Sequence, residues 1–396
     1  MAGTPTHPGL RIRARRMAAA LALACAAVAG DVRASVQLAI PCRAQWDDRN
    51  GYCGECTIQS IALYYGTYIS QYRVREIISS NQTQDVWVPD HTGTIFDALR
   101  LNYENWNSGL ATPQYQNYLV WTKAHLQQGH PVMITLFVQG ESDTDYDHIV
   151  PATGFTSVDT TAYHAADTLV FNDNYDSSSY SRTFGSIYDT RAMTGNGATY
   201  EYCIPRDTDY GAAVTGIRDA SGTALPVSVS VDRWDEPNVW RGEPLVQMNA
   251  TIQVRTLTTG ASYVLRRYDD YHLVPTNNYL SSACSSSTSF VATAATQTLS
   301  DHFSSGGTVI YRCVPAAASP PAAPAVASAQ ATGTGFRLAF ATQTNRLYGI
   351  EYKVDLGAAT WTGLTNGVAG TGGTLTLTDA GATNQLRRFY RVFISN

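Results

Sequence analysis

Charge and long apolar runs are both scarce in this chain. Only 15% of its 396 residues are charged, while Tyr (24) and Gly (31) are plentiful. That balance suits exposed β-structure in exported proteins better than a helical cytosolic enzyme. After the N-terminal 29 residues, no apolar stretch approaches the roughly 20 residues that a membrane-spanning helix needs, so no membrane insertion is expected. A basic excess is missing too. Removing residues 1–29 takes four of the 27 basic residues and no acid, leaving 23 against 32, a net charge of −9. This excludes nucleic acid and anionic membrane surfaces as expected partners. The length suffices for two or three domains, each with its own core.

What is present begins with an export signal. Arg11, Arg13, Arg15 and Arg16 form a basic n-region, Met17 to Ala29 an apolar h-region, and Ala27-Val28-Ala29 a small-x-small cleavage pattern. The mature chain is expected to start at Gly30, with an alternative site after Ala34. Cys25 would fit a lipoprotein signal, but Ala22 stands where such a signal has Leu. A secreted, periplasmic or cell-surface location follows. Six cysteines then remain: Cys42, Cys53, Cys56, Cys203, Cys284 and Cys313. An oxidising compartment permits disulfides, and Cys284 with Cys313 and Cys42 with Cys203 are the expected pairs. Their number alone does not choose between three disulfides and a catalytic thiol.

Composition divides the rest. Residues 30–205 mix helical and strand patterns. Ile58, Ile61, Ala62 and Tyr65 form an i, i+3, i+4, i+7 stripe over Cys53 to Tyr65, and Gly66 can end that helix. Further helices are predicted over 72–79, 94–101 and 113–128, then strands over 131–138, 148–155, 168–172 and 200–204. Helices first and a sheet second reads as α+β. Residues 206–314 carry only short β-branched and aromatic runs at sandwich-like spacing. Residues 315–330 are Pro/Ala-rich and read as a linker, and 331–396 read as a small C-terminal β module.

The chemistry concentrates in Ala44-Gln45-Trp46-Asp47-Asp48-Arg49-Asn50-Gly51-Tyr52-Cys53-Gly54-Glu55. A thiol attacks carbonyls as thiolate, and a helix N-terminus favours that charge through its unbonded N–H groups and dipole. Cys53 is predicted there, with Gly54 allowing close approach of a substrate. Gln45 has an amide donor suited to an oxyanion beside the Cys53 N–H. The base must come from elsewhere in the chain, since Cys–His pairs are close in space and distant in sequence.

This segment resembles the papain-like cysteine peptidases that trim double-glycine leader peptides alongside bacteriocin exporters. Their pattern runs Ala-Gln-x-Asp-Glu-Arg-Asp-Cys-Gly and then a helix closing at Tyr-Gly, as Tyr65-Gly66 does here. One departure is that Gln45 precedes Cys53 by eight residues rather than about six, the surplus falling around Asn50-Gly51. The family's base lies in a His-Tyr/Trp-Val-Val-Val-x-Gly strand, which His148-Ile149-Val150-Pro151-Ala152-Thr153-Gly154 resembles, and its carboxylate closes a following strand, as Asp173 does in Leu169 to Asn174. The resemblance covers about residues 40–205. It implies a papain-like fold, a peptide or protein substrate, and Cys53, His148, Asp173 and Gln45 as catalytic residues. No metal or organic cofactor is implied.

Alternatives stand beside each assignment. Asn172 or Asn174 could orient the histidine, as an Asn does in papain. Papain's own Cys-Gly-Ser-Cys pattern would promote Cys56. His91 competes with His148, and Glu55 and Asp147 read as solvated charges. Cys53 and Cys56 lack a second cysteine pair at zinc spacing, and Asp143, Asp145 and Asp147 lack the Gly and Glu of a calcium loop. The expected architecture is an α+β papain-like domain followed by all-β sandwich-like modules, and the expected activity is thiol-dependent peptide hydrolysis. An amidase or transamidase on the same fold, or an inactive binding protein working through its β modules, are the rivals. The last 66 residues resemble a short module that ends many secreted bacterial proteins, with Trp361 to Leu364 and Arg387 to Val392 as its marks; surface attachment or carbohydrate contact is the role that analogy offers.

Overall fold

The computed structural model describes residues 33–84, 86–138, 148–189, 202–276, 278–280, 283–316, 324–344, 346–385 and 387–395. The expected signal peptide, with Asp143, Asp145 and Asp147, lies outside these residues. The chain divides into two compact units, the first running to Ala316 and the second beyond it. An α+β region with four helices comes first, and mostly antiparallel β-sheets follow.

The helices form where apolar spacing and caps agree. In α1 (Cys53–Tyr64) the stripe of Ile58, Ile61 and Ala62 is fully buried. Gly66 follows it at φ +72°, and a Cβ there would meet the Tyr311 carbonyl oxygen and the Val227 Cβ at 3.0 Å. Both the left-handed backbone and the close approach demand glycine. Ser70 caps α2 (Gln71–Ile78), its hydroxyl accepting the Arg73 N–H at 3.2 Å. α3 (Thr92–Ala98) and α4 (Tyr115–Gln127) complete the set.

The strands of the first region are β1 (Ala34–Gln37), β2 (Thr67–Ile69), β3 (Leu101–Asn105), β4 (Val132–Val138), β5 (His148–Ser157), β6 (Thr168–Asp173), β7 (Ser178–Thr183), β8 (Tyr188–Asp189), β9 (Tyr202–Pro205) and β10 (Gly211–Ile217). All but β2 join one sheet, ordered β3-β10-β4-β5-β6-β7, with β1 on β5 and β8-β9 on β4. Period-two alternation sets the layers. On β4, Val132, Ile134 and Leu136 pack with Tyr118, Leu119 and Leu126 of α4, whereas Met133 turns to the opposite cluster with Ile58, Ile61 and Ile95 of α1 and α3.

The β-rich stretch contributes β11 (Val227–Val231), β12 (Gln247–Val254), β13 (Ser262–Tyr268), β14 (Ser286–Val291), β15 (Gln297–Ser304) and β16 (Thr308–Pro315). One sheet runs β11-β12-β15 and the other β14-β13-β16-β2. The boundary expected at 205 does not separate two bodies. β10 lies between β3 and β4, β16 pairs with β2, and Leu63 and Tyr68 share a core with Val229, Ile252 and Tyr311. Backbone pairing and apolar burial both cross the position, so the two stretches form one unit.

The second unit holds β17 (Val326–Thr332), β18 (Gly335–Ala341), β19 (Leu347–Lys353), β20 (Thr362–Ala369), β21 (Thr374–Asp379) and β22 (Phe389–Ser395). They form two three-stranded sheets around Leu338, Phe340, Tyr348 and Ile350. The expected linker over 315–330 is therefore strand from Val326 onward, because β17 pairs along β18.

No disulfide joins any of the six cysteines. The expected pairing of Cys284 with Cys313 fails on facing. Cys313 points into the core with Leu265 and Tyr311, whereas Cys284 packs with Tyr268, Ile310 and Val314 on the sheet's other face. Cys203 is sealed among Phe137, Phe171 and Tyr202, while Cys42 is half-buried after β1, so the pairing of those two is absent as well. Iodoacetamide applied to a chain beginning at Gly30, denatured without reductant, is expected to add six groups by intact mass; four or fewer would reveal a disulfide. A chain ending at Ala316 is expected to unfold cooperatively in a thermal melt followed by circular dichroism. One ending at Pro205 loses β10 and β16 and is expected to show no cooperative transition.

Candidate active site

Cys53 is the first residue of α1, and its carbonyl already belongs to the helix. His148 opens β5 and Asp173 closes β6, two paired antiparallel strands. His148 Nε2 lies 3.0 Å from Asp173 Oδ1, with both side chains buried. Facing a carboxylate, Nε2 carries the proton, which leaves Nδ1 as the nitrogen with the lone pair. That Nδ1 is buried and has no hydrogen-bonding partner among the described residues. Buried polar atoms are nearly always bonded, so an unbonded one calls for an explanation, and a catalytic role is one.

Asp173 is held from three sides. Its Oδ1 also accepts the Tyr175 N–H at 3.0 Å, and its Oδ2 accepts the Tyr202 hydroxyl at 2.5 Å. Burial alone would raise this carboxyl, but the bond and charge of His148, with the other two donors, outweigh it and hold the group below the usual carboxylate range. The Tyr175 ring lies flat on the imidazole, 4.3 Å between centroids and 11° from parallel, with its own outer part exposed.

Asn174 joins the strand pair to the helix. Its buried Nδ2 donates to the Cys53 carbonyl at 2.9 Å, the Ile149 carbonyl at 3.0 Å and the Thr57 hydroxyl oxygen at 3.2 Å. The Thr57 hydroxyl in turn donates to the Ile149 carbonyl at 2.9 Å. The Cys53 carbonyl and that of the residue after His148 are thus gripped by one amide. Gly54 completes the contact, since a Cβ there would sit 2.7 Å from Val86 Cγ1 and 3.3 Å from Ile149 Cδ1.

Gln45 reaches the same place. Its N–H donates to the Asn174 carbonyl at 2.9 Å, and its Nε2 lies 3.7 Å from where a Gly51 Cβ would stand. The surplus residues before Cys53 are taken up by a left-handed run, with Arg49 at φ 51°, Asn50 at 64° and Gly51 at 86°. The fully buried Arg75 secures that run: its Nη1 donates to the Arg49 carbonyl at 3.2 Å, its Nη2 to the Gly51 carbonyl, and its Nε to Glu55 Oε1 at 2.5 Å. Glu55, read from sequence as a solvated charge, is instead buried in this ion pair; removing one member of such a pair costs about 3–5 kcal/mol.

The segment after β11 braces the loop from outside. Trp46 Nε1 donates to the Glu236 carbonyl at 3.0 Å, and Trp240 Nε1 to the Tyr52 hydroxyl at 2.7 Å. Gln59 Nε2 and the Gln71 N–H donate to Glu236 Oε2, at 2.7 and 3.1 Å. Burial pushes the Glu236 carboxyl up to about 7 against these donors.

The structure thus brings Gln45, Cys53, His148 and Asp173 to one corner. The alternatives lie elsewhere or do other work. Asn172 donates to the Ile40 carbonyl at 3.0 Å. Cys56 is fully enclosed on the helix, where burial pushes its thiol up. His91 precedes α3, and no carboxylate pairs with it among the described residues. Sequence reasoning missed the roles of Tyr175, Tyr202 and Arg75. Tyr175 directly follows Asp173-Asn174 and so carried a weak signal; Tyr202 and Arg75 are recruited from distant elements and carried none. No protein-family model matches the chain, and no curated protein matches it.

Because the folded carboxyl of Asp173 sits below its unfolded value, its contribution to stability is present above about pH 4 and is lost as pH falls through the folded value. Urea unfolding at pH 6, 4 and 3 is expected to show a shallower acid loss for Asp173→Asn than for wild type. Equal slopes would mean that the carboxyl is unperturbed.

Proposed function

We propose that the first unit is an exported papain-like thiol hydrolase that cleaves peptide bonds, with Cys53 as nucleophile. The observation that carries this reading is His148, which is buried, bonded to Asp173 through one ring nitrogen and open at the other, on a strand that Asn174 ties to Cys53 itself. A helix bearing the thiol against an antiparallel sheet bearing imidazole and carboxylate is the papain-like layout, and the facing sheets of the β-rich stretch fit a sandwich-like arrangement.

The chemistry follows from these positions. His148 Nδ1 takes the Cys53 proton, and the imidazolium is stabilised by the Asp173 carboxylate. The sulfur attacks the scissile carbonyl carbon, and the resulting oxyanion is met by the Cys53 N–H and the Gln45 amide. The C–N bond breaks as His148 returns the proton to the leaving amine. Water, deprotonated by the same nitrogen, then hydrolyses the thioester and releases Cys53. Trp87 and Tyr175 expose 44% and 46% of their surface beside this corner, Trp87 between Val86 and Val88 of the Cys53 cluster, and suit an apolar substrate side chain. The second unit takes no part in these steps; a surface or carbohydrate role for it rests on analogy alone.

Iodoacetamide at about pH 6 tests the reading, since an ordinary thiol with pKa about 8.5 is then almost wholly protonated. Cys53 is expected to label faster than every other cysteine, located by peptide mass mapping. Cys53→Ala should abolish the fast phase, His148→Ala slow it, and Cys56→Ala leave it intact. Asp173→Asn is expected to lower peptide turnover by ~10²–10⁴-fold. Fast labelling at Cys56 would move the nucleophile, and no fast thiol in the folded protein would leave a binding protein on this fold.

A further inference from the structure

A cavity of about 320 Å³ opens at the far end of α1. Twelve helical residues at about 1.5 Å each place it roughly 18 Å from Cys53. Its walls come from both halves of the first unit: Tyr64 and Tyr65 at the end of α1, His130 before β4, Val227 of β11, Arg255 after β12 and Arg312 of β16. No acidic side chain lines it among the described residues.

The two arginines are unusual in a chain with more acids than bases. Arg312 is 1% exposed. Its Nη1 donates to the Tyr65 and Tyr311 carbonyls at 3.0 and 2.8 Å and lies 3.5 Å from the Thr67 hydroxyl, and its Nη2 lies 3.5 Å from the Leu99 carbonyl. These contacts cap the end of α1, yet Nε is buried with no partner, and no carboxylate pairs with the guanidinium among the described residues. Among the described residues, the Arg255 guanidinium donates to the Ser228 hydroxyl and the Gln253 carboxamide, both at 3.2 Å, and faces the Tyr64 ring at 5.9 Å. Buried charges are normally matched by an opposite charge. His130 adds none, because burial pushes its imidazole down and keeps it neutral at pH 7.

From the juxtaposition of these arginines with tyrosine rings and aliphatic walls, we propose that the cavity binds a small carboxylate with an apolar body. The volume lies at the small end of ligand sites, so a ring with a short acid chain is the size that fits. The arginines would supply the missing counter-charge contacts and the rings would cover the apolar part. This site is independent of the thiol chemistry proposed above.

Calorimetric titration of the full chain with 3-phenylpropionate tests it, with 3-phenylpropionamide as the neutral counterpart and inorganic phosphate at matched ionic strength as a bare anion. The acid is expected to bind with a millimolar or lower Kd and to raise the melting temperature. The amide and phosphate should each bind at least about tenfold more weakly, the discrimination expected for a charged hydrogen bond. Arg255→Gln should weaken the acid by about tenfold, and Arg255→Lys should restore part of that loss. Arg255 is half-buried with polar neighbours, so these variants keep the fold, and their melting curves without ligand check this. No binding of the acid, equal binding of amide or phosphate, or an Arg255→Gln Kd like that of wild type would each overturn the proposal.

Discussion

One buried carboxamide holds the candidate site in register. Asn174 donates to the carbonyl of Cys53, the first residue of a helix, and to the carbonyl of Ile149, the residue after His148 on a strand. Without it, the Cys53 and Ile149 carbonyls would lose the side-chain donor that they share, and a lost buried hydrogen bond costs on the order of 1 kcal/mol. The same residue's own carbonyl accepts the Gln45 N–H, and its neighbour Asp173 meets the imidazole. Two consecutive residues, Asp173 and Asn174, therefore set Cys53, His148 and Gln45 relative to one another. The turn that begins at Asn174, directly after β6, makes this possible.

The β-rich stretch supports this corner from behind. Glu236 and Trp240 bond to Gln59, Gln71, Trp46 and Tyr52, all on the loop before Cys53 or the helices after it. Arg75 bonds that loop from the other side. A left-handed run such as 49–51 is unfavourable for Arg and Asn and persists only when its surroundings over-determine it. Here the surroundings are a buried guanidinium and a braced tryptophan. The long approach to Cys53 and the additional β-sheets are thus parts of one mechanical arrangement. The first unit's two halves also meet at the other end of α1, where they enclose the arginine-lined cavity.

Several features were legible from local pattern because local physics decides them. The helix beginning at Cys53 follows from its apolar stripe and from Gly66, which the structure places at a left-handed, crowded turn. The strand bearing His148 and the strand closing at Asp173 are short apolar runs bounded by turns, and both form within a residue or two of their predicted spans. Short strands with weaker alternation escaped, β2 and β10 among them. Their stability comes from partners: β2 exists because β16 pairs with it, and β10 because it lies between β3 and β4.

The sequence by itself determined the candidate nucleophile's helix, the histidine's strand and the split between an α+β region and a β-rich remainder. Periodicity and turn chemistry act over a few residues, and a single chain displays them. Only the tertiary structure decided that Asp173, rather than Asn172 or Asn174, faces the imidazole, that Glu55 is buried against Arg75, and that Cys284 and Cys313 look to opposite faces of one sheet. It also decided that position 205 is no boundary. Each of these outcomes depends on which face of an element meets which distant neighbour. That is settled by packing between separate elements, and no local pattern encodes it.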